Sequence, residues 1–326
     1  MQSLEEIILK FNQLNILVIG DLMLDVYTIG DIYRNSPEAP VPVVNVKSRE
    51  SRLGGAGNVV KNLRSLGVNT LICSVIGDDL NGQKIIDLIS REGIKNSCII
   101  QEKNRITTSK ERVISQGKHL VRIDEEIEDS ILVSSKETIL NFIKNQIHEL
   151  DIILFQDYDK GVLDQDLIQK VLRLAKKYQV QTVVDPKKKN FSAYFGASLF
   201  KPNLKEIKEG INLPTDINLA QLKIAIEKFR KENEFEFVFL TMSEKGVLMN
   251  HSGDFFELPA HTRAILDVSG AGDTVIAVAA CCLGVGLSAQ LIAAIANLAG
   301  GLVCEKVGVV SIQKEEIISE SKKVLF

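Results

Sequence analysis

Tryptophan is absent from the 326 residues, histidine occurs four times and proline only seven. With 22 glycines, 45% hydrophobic and 25% charged residues, the composition is that of a globular chain and excludes fibrous and disordered classes. The five cysteines, Cys73, Cys98, Cys281, Cys282 and Cys304, contain no C-x-x-C pair. Their odd number, without a signal peptide, points to a reducing cytoplasm, where they serve as small core residues. Neither charge sign dominates: 39 Lys+Arg against 42 Asp+Glu leave a net charge of -3, so there is no bulk positive field for nucleic acid or an anionic membrane. Any phosphate has to be caught locally.

Charge is missing altogether from Thr274 to Cys304, a stretch long enough to span a bilayer. Its punctuation argues for two consecutive buried helices instead. Gly284 and Gly286 interrupt it, Ser288 can cap a second helix, and Gln290 and Asn297 would need partners in lipid.

Short continuous apolar runs recur at Ile16 to Gly20, Leu71 to Ile76, Ile152 to Phe155, Thr182 to Val184 and Phe237 to Thr241. Such runs suit strands buried on both faces of a parallel sheet. Between them lie helical patterns, such as Ala56, Val59, Val60, Leu63 and Leu66, so the alternation predicts an α/β fold with a mainly parallel sheet. Two stretches break the rhythm. Residues 26–46 hold three prolines in NSPEAPVPVV, and residues 105–124 alternate like antiparallel strands; together they predict a small β lid. A leading helix is expected over the first dozen residues and a closing one from Gln313 to Val324, with no repeat or linker between.

The strongest motif is DVSGAGDT, Asp267 to Thr274, opening the uncharged stretch. Gly270 and Gly272, with Ala271 between, let successive N–H groups turn toward one point at a helix start, an anion-binding nest reinforced by the helix dipole. Asp273 beside it suits phosphoryl transfer, because the carboxylate accepts a hydroxyl proton while the amides hold phosphoryl oxygens. An Asp that only caps its helix fits the isolated string equally well. The second cluster is Leu53 to Asn58, LGGAGN. It is a poor dinucleotide fingerprint, since no convincing strand runs into it and Val60 replaces the third small residue. Glycines that admit close backbone approach, with an Asn amide, suit the hydroxyls of a sugar; a tight loop feeding a helix is the plainer alternative.

These two clusters at opposite ends, with Gly67 and Gly77 between them, make the chain resemble the PfkB, or ribokinase-like, carbohydrate kinases over nearly its whole length. The resemblance implies a three-layer α/β/α sandwich with a β lid, one kinase domain over 1–326. Within the family, the strings GDLMLD (Gly20 to Asp25), SPEAPVPV (Ser36 to Val43), RVIS (Arg112 to Ser115), DPK (Asp185 to Lys187), KPNLKE (Lys201 to Glu206) and DVSGAGDTVI (Asp267 to Ile276) are similar to the bacterial D-glycero-β-D-manno-heptose 7-phosphate kinases. SPEAPVPV is the most discriminating. Many relatives continue into a nucleotidyltransferase carrying H-x-G-H, a motif that none of the four histidines forms, so a stand-alone kinase is expected.

Residue roles follow from the resemblance. Asp273 becomes the base for the anomeric hydroxyl, with Gly270, Ala271 and Gly272 around the transferred phosphoryl group. Asp25, Gly54, Gly55 and Asn58 become sugar ligands. Lys110, Arg112, Arg122, Asp157 and Lys160 are candidates for the end of the substrate that carries the phosphate. Within that last group, exposed strand charges are the alternative for Lys110 and Arg122, and Asp159 would repel a phosphate if it pointed inward. ATP is expected against Lys187, Asn203, Thr241, Ser243, Gly246, Gly272 and Asn297, and Mg²⁺ near Asn203 and Glu206, mostly through water; Asn203 and Glu206 also read as a capping box. The resemblance leaves K⁺ beside the nest open. It implies a cytoplasmic enzyme that binds a sugar phosphate and ATP, no nucleic acid and no membrane, as a homodimer through the lid. A kinase of another sugar phosphate, such as fructose 6-phosphate or tagatose 6-phosphate, and a non-catalytic sugar-phosphate sensor are the competing readings.

Overall fold

The structure is a computed structural model that describes residues 4–94, 98–261 and 263–324. A short helix α1 (Leu4–Leu9) leads into β1 (Asn15–Gly20). Two long strands, β2 (Leu22–Asn35) and β3 (Pro42–Gly55), then leave the main sheet as a ribbon and return through helix α2 (Ala56–Ser65) to β4 (Asn69–Gly77), α3 (Leu80–Arg91) and β5 (Cys98–Glu102). A hairpin of β6 (Ser109–Ser115) and β7 (Lys118–Glu125) precedes α4 (Val133–Gln146), β8 (Ile152–Gln156), α5 (Gln165–Tyr178) and β9 (Gln181–Asp185). The remainder runs β10 (Leu199–Phe200), α6 (Leu204–Gly210), α7 (Leu219–Glu232), β11 (Phe237–Thr241), β12 (Val247–His251), β13 (Asp254–Leu258), α8 (Ala271–Gly284), α9 (Ala289–Cys304) and α10 (Lys314–Val324).

Among the described residues the large sheet has the order β13-β12-β11-β10-β9-β8-β1-β4-β5, parallel except for the β12 and β13 edge. Side-chain alternation divides it between two cores. Ile16 and Val18 of β1 face the layer of α2, α8 and α9, while Leu17 and Ile19 face the layer of α4, α5 and α7. This gives the α/β/α sandwich, and it explains why β1 reads as an unbroken apolar run: both faces are covered.

The uncharged stretch forms α8 and α9, separated by a turn at Gly286, whose φ of 75° suits a residue without Cβ. Nearly every residue from Asp273 to Leu283 is buried, so α8 is apolar all round because protein surrounds it. No helix among the described residues is long and apolar enough to cross a membrane.

A second sheet of order β3-β2-β6-β7 forms the lid. It is larger than the residues 26–46 and 105–124 expected for it, with β2 starting at Leu22 and β3 running to Gly55. The expectation that no strand enters the glycine cluster is therefore corrected. The alternating polar and charged residues of β3, exposed along much of its length, hide it from a search for buried strands. The second lid segment is also only partly antiparallel: β6 pairs with β7 in that sense, but with β2 in parallel. Strands β5 and β10 and the β12–β13 hairpin fall outside the apolar runs read from sequence; β10 has two residues, and the hairpin lies at an edge.

Candidate active site

The strand order reverses between β1 and β8, because the chain proceeds from β1 toward β4 on one side and from β8 toward β9 on the other. At such a switch point the C-terminal strand ends diverge and leave a crevice. Gly20, Gln156 and Asp185 close β1, β8 and β9 in one register there. The start of α8 points into the same place. Its N-cap, Gly270, has φ 80°, and a Cβ on it would lie 2.8 Å from Asn58 Nδ2, so both conformation and contact require glycine.

Asp273, in the first turn of α8, is buried and accepts three hydrogen bonds. Asn58 Nδ2 donates to Oδ2 at 2.7 Å, and Gln156 Nε2 and the Tyr158 hydroxyl donate to Oδ1 at 3.0 and 2.8 Å. Burial, opposed by the Asn58 hydrogen bond and aided by the charge of Asp185, raises its pKa to about 6. The carboxylate is thus ionised at neutral pH yet close to the range where proton transfer is easy. Burial, with Asp273 alongside, pushes the Tyr158 hydroxyl well above its ordinary range, so it remains a donor.

A cavity of about 130 Å³ opens from Asp273, lined by Tyr158, Asp185, Lys187, Lys201, Asn203, Glu206, Thr241, Gly270 and Gly272. Lys201 and Asp185 form a buried ion pair at 3.0 Å. Lys187 pairs with Glu206 and stands 5.3 Å from the centre of the Tyr158 ring. Burial opposes its charge, but Asp185 and Glu206 outweigh that and raise the Lys187 pKa. Asn203 and Glu206 do form the capping box, at 2.8 and 2.9 Å, and at the same time line the cavity. At the nest, Ala271 N–H already donates to the Val268 carbonyl at 3.3 Å, which removes it from the expected anion hole; Gly272 and Asp273 keep first-turn N–H groups without an intrahelical acceptor.

The lid brings together a second polar cluster. Asp25 and Tyr27 on β2, Arg112 on β6 and Arg52 on β3 share one face by register. Arg112 Nη1 lies 2.5 Å from Asp25 Oδ1, in a largely buried pair. The two guanidinium carbons of Arg52 and Arg112 lie 4.9 and 5.4 Å from the Tyr27 ring centre. Tyr27 in turn accepts the Val309 N–H, tying the lid to the loop before α10. A Cβ on Gly54 would come within 2.2 Å of Asp25 Oδ2, so glycine there keeps the carboxylate in place; Gly55 has φ 57°. Arg52, absent from the sequence-derived set, was signalled by its place directly before the glycine cluster.

Several expected residues stand elsewhere. Asn58 spends its amide on Asp273 rather than presenting it to a sugar. Asp157 is buried and accepts from Tyr194, Asn190 and the Asp159 N–H, so it braces the loop after β8. Burial and neighbouring Asp21 raise its pKa. Lys110 is held by Asp124 and Glu126, Lys160 by Glu126 and Glu128, and exposed Arg122 by Asp124. All four cations proposed for the substrate phosphate are thus engaged with acids, and Arg112 differs in that its acid, Asp25, is itself one of the expected sugar ligands. Asp159 accepts from the Lys189 N–H at 3.3 Å. Asn297 donates to the Pro259 carbonyl, and Gly246, at φ 87°, packs against the Leu258 to Ala260 backbone. Ser243, at φ 53°, lines a separate groove with Asn203, while Thr241 lines the cavity itself.

The pfkB family carbohydrate kinase pattern matches residues 13–316. The chain belongs to that family. The kinase is 39% identical over 302 residues to the bifunctional protein HldE of Helicobacter pylori (strain Shi470), covering 93% of this chain and 65% of that protein. With the bifunctional protein HldE of Wolinella succinogenes it shares 40% over 293 residues, 90% of this chain and 61% of the relative. It therefore spans less than two thirds of the length of either. Among solved structures, phosphofructokinase-2 from Escherichia coli in complex with potassium superposes with a TM-score of 0.80 at 16% identity, covering 96% of this chain and all of that one. Arabidopsis thaliana ribokinase complexed with ribose and ATP does so at 0.70 and 18%, covering 94% and 97%. At these identities the two structures establish the fold, and the family match establishes a carbohydrate kinase.

Proposed function

We propose that this kinase transfers the γ-phosphoryl group of ATP to the C1 hydroxyl of D-glycero-β-D-manno-heptose 7-phosphate, giving the 1,7-bisphosphate and ADP, a step toward ADP-heptose for lipopolysaccharide. The observation that carries this reading is a buried base, Asp273, beside free first-turn amides, with Asp25 of the Asp25–Arg112 pair acting on the same Tyr158 that donates to Asp273. The strings shared with heptose 7-phosphate kinases and the likeness to HldE proteins support the choice of sugar.

In this reading Asp25 accepts from sugar hydroxyls, and Arg112, whose described hydrogen bonds leave from Nη1, turns Nε and Nη2 to the substrate phosphate. Asp273 takes the C1 hydroxyl proton as the oxygen forms its bond to the γ-phosphorus and the bond to the ADP oxygen breaks. The Gly272 and Asp273 amides and the α8 dipole receive charge on the equatorial oxygens. Lys187 and Lys201 lie on the cavity wall, where donor phosphates would meet them. Among the described residues no three acidic, His or Cys side chains gather into a metal cage, which suits Mg²⁺, an ion that keeps its waters and binds mainly phosphate. Asn203 and Glu206 would hold it through water; when bound, it neutralises the charge of the phosphate chain.

An ADP-release screen across pentose, hexose, sedoheptulose and heptose phosphates, with products mapped by NMR, tests the assignment. Turnover with the heptose 7-phosphate and a new phosphorus signal at C1 are expected. Activity confined to unphosphorylated sugars overturns both the substrate and the role of Arg112.

A further inference from the structure

We infer that Gln156 is a positioning residue for the base, its side-chain amide holding the Asp273 carboxylate in place and apart from that of Asp185. The inference rests on the reading of Asp273 as the base. Gln156 closes β8 and is fully buried, beside Gly20 and Asp185 in the register of the three strands. Its single NH₂ group lies 3.0 Å from Asp273 Oδ1 and 3.3 Å from Asp185 Oδ2, so one neutral donor spans two carboxylates.

The other end of the same amide makes the case. Gln156 Oε1 is buried without a hydrogen-bond partner, an arrangement that proteins avoid. Turning the amide over would give the NH₂ group the place of Oε1, but it would aim a carbonyl oxygen at two acids. The two carboxylates therefore fix the orientation, and the unpartnered oxygen is its cost. An apolar residue of similar length would fill the space without that cost, so packing alone does not account for a glutamine here.

The groups around Asp273 come from every element packed against it: Asn58 from α2, Tyr158 from the loop after β8, Asp185 from β9, Lys187 just beyond β9 and Lys201 beside β10. Asp25 of β2 acts on Tyr158 at longer range. Of these, only Gln156 touches both acids through one group. Without it, Asp273 loses one of its two donors on Oδ1 and faces Asp185 with no polar group between; both changes favour the protonated carboxyl.

The test compares full-length wild type with Gln156→Met, measuring kcat/KM for ADP release from pH 5 to 9 with the best sugar phosphate of the screen. The acid limb is expected to move up by about one pH unit, seen as an about fivefold loss at pH 6 that approaches tenfold at pH 5 and largely closes by pH 8.5, with the KM for ATP within about twofold. An unmoved limb, or the same fractional loss at every pH, overturns the inference. Should Gln156→Met not fold, Gln156→Asn, whose shorter amide cannot span both acids, is read by the same criteria. Asp273→Asn separates this inference from the reading beneath it. If that variant keeps near-normal turnover, the base assignment falls and this inference with it; if it is inactive while the acid limb of Gln156→Met is unmoved, only the role of Gln156 falls.

Discussion

The chemistry of a single carboxyl sets the first prediction. Because burial raises the Asp273 pKa to about 6, and the base works ionised, kcat/KM should fall as pH drops through about 6 and level off from about one pH unit above it. Asp273→Asn should keep the fold and lose about 10²-fold or more in turnover; near-normal turnover would remove it from the role. The same burial acts on stability with the opposite preference. A raised folded-state pKa means the neutral form is favoured in the fold, so the stability linked to this group is lost as pH rises through about 6. Arg112 gives the second prediction. Arg112→Ala should raise the KM for the sugar phosphate at least about tenfold and leave that for ATP unchanged, and Arg112→Lys should rescue only part of the loss, since a point charge replaces a planar fork. Equal loss of affinity for both substrates would place Arg112 outside the phosphate subsite. Asp273 was legible as an acid in a glycine-framed motif, and Asp25 through the string GDLMLD that the family resemblance rests on. The engagement of Lys110 and Lys160 was not, because their partners Asp124, Glu126 and Glu128 are brought to them only by the lid register and the loop after β8, whereas Arg122 pairs with Asp124 two residues along its own strand.

At the scale of elements, the periodic segments with both faces covered were the readable ones: β1, β4, β8, β9 and β11 carry continuous apolar runs, and α8 and α9 an uncharged stretch that glycine divides. The β12–β13 hairpin was not, since an edge strand that packs on one side needs no such run. The start of β3 fell inside the lid expected over residues 26–46, but its exposed, alternating run into the glycine cluster was missed for the same reason. The α8–α9 contact sets the third prediction, one substitution at adjacent positions with unequal outcomes. A Cβ on Gly300 would meet Val275 Cγ2 at 2.6 Å, whereas on Gly301 the nearest atom, Arg263 Cδ, lies at 3.4 Å. Alanine in place of a helical glycine gains up to about 1 kcal/mol from propensity, and overpacking a filled core costs about 1–3 kcal/mol. Gly301→Ala should therefore hold or raise the urea midpoint and Gly300→Ala lower it. Equal midpoints would show that Val275 yields without strain.

For the whole molecule, the lid has two faces with unlike chemistry. Asp25, Tyr27, Arg52 and Arg112 share one face by register, while Val113, Val121 and Ile123 share the other. Val121 and Ile123 are 52 and 50% exposed, on a strand that also forms the sheet edge. Paired apolar β-branched residues on an open sheet invite either aggregation or a partner, and a second copy of the lid offers the matching surface. We propose a homodimer through this face, with its consequence for activity following from lid geometry. Arg112 and Asp25 are held by the same strands whose outer face would be clamped, so dimerisation should stiffen the wall that meets the sugar. Sedimentation of the wild type at micromolar concentration should give a dimer. Ile123→Glu, which places a carboxylate on the apolar face beside Glu111 of the adjacent strand, should give a monomer with a raised KM for the sugar phosphate and a nearly unchanged KM for ATP. A monomeric wild type, or an Ile123→Glu variant that stays dimeric, would move the interface off the lid.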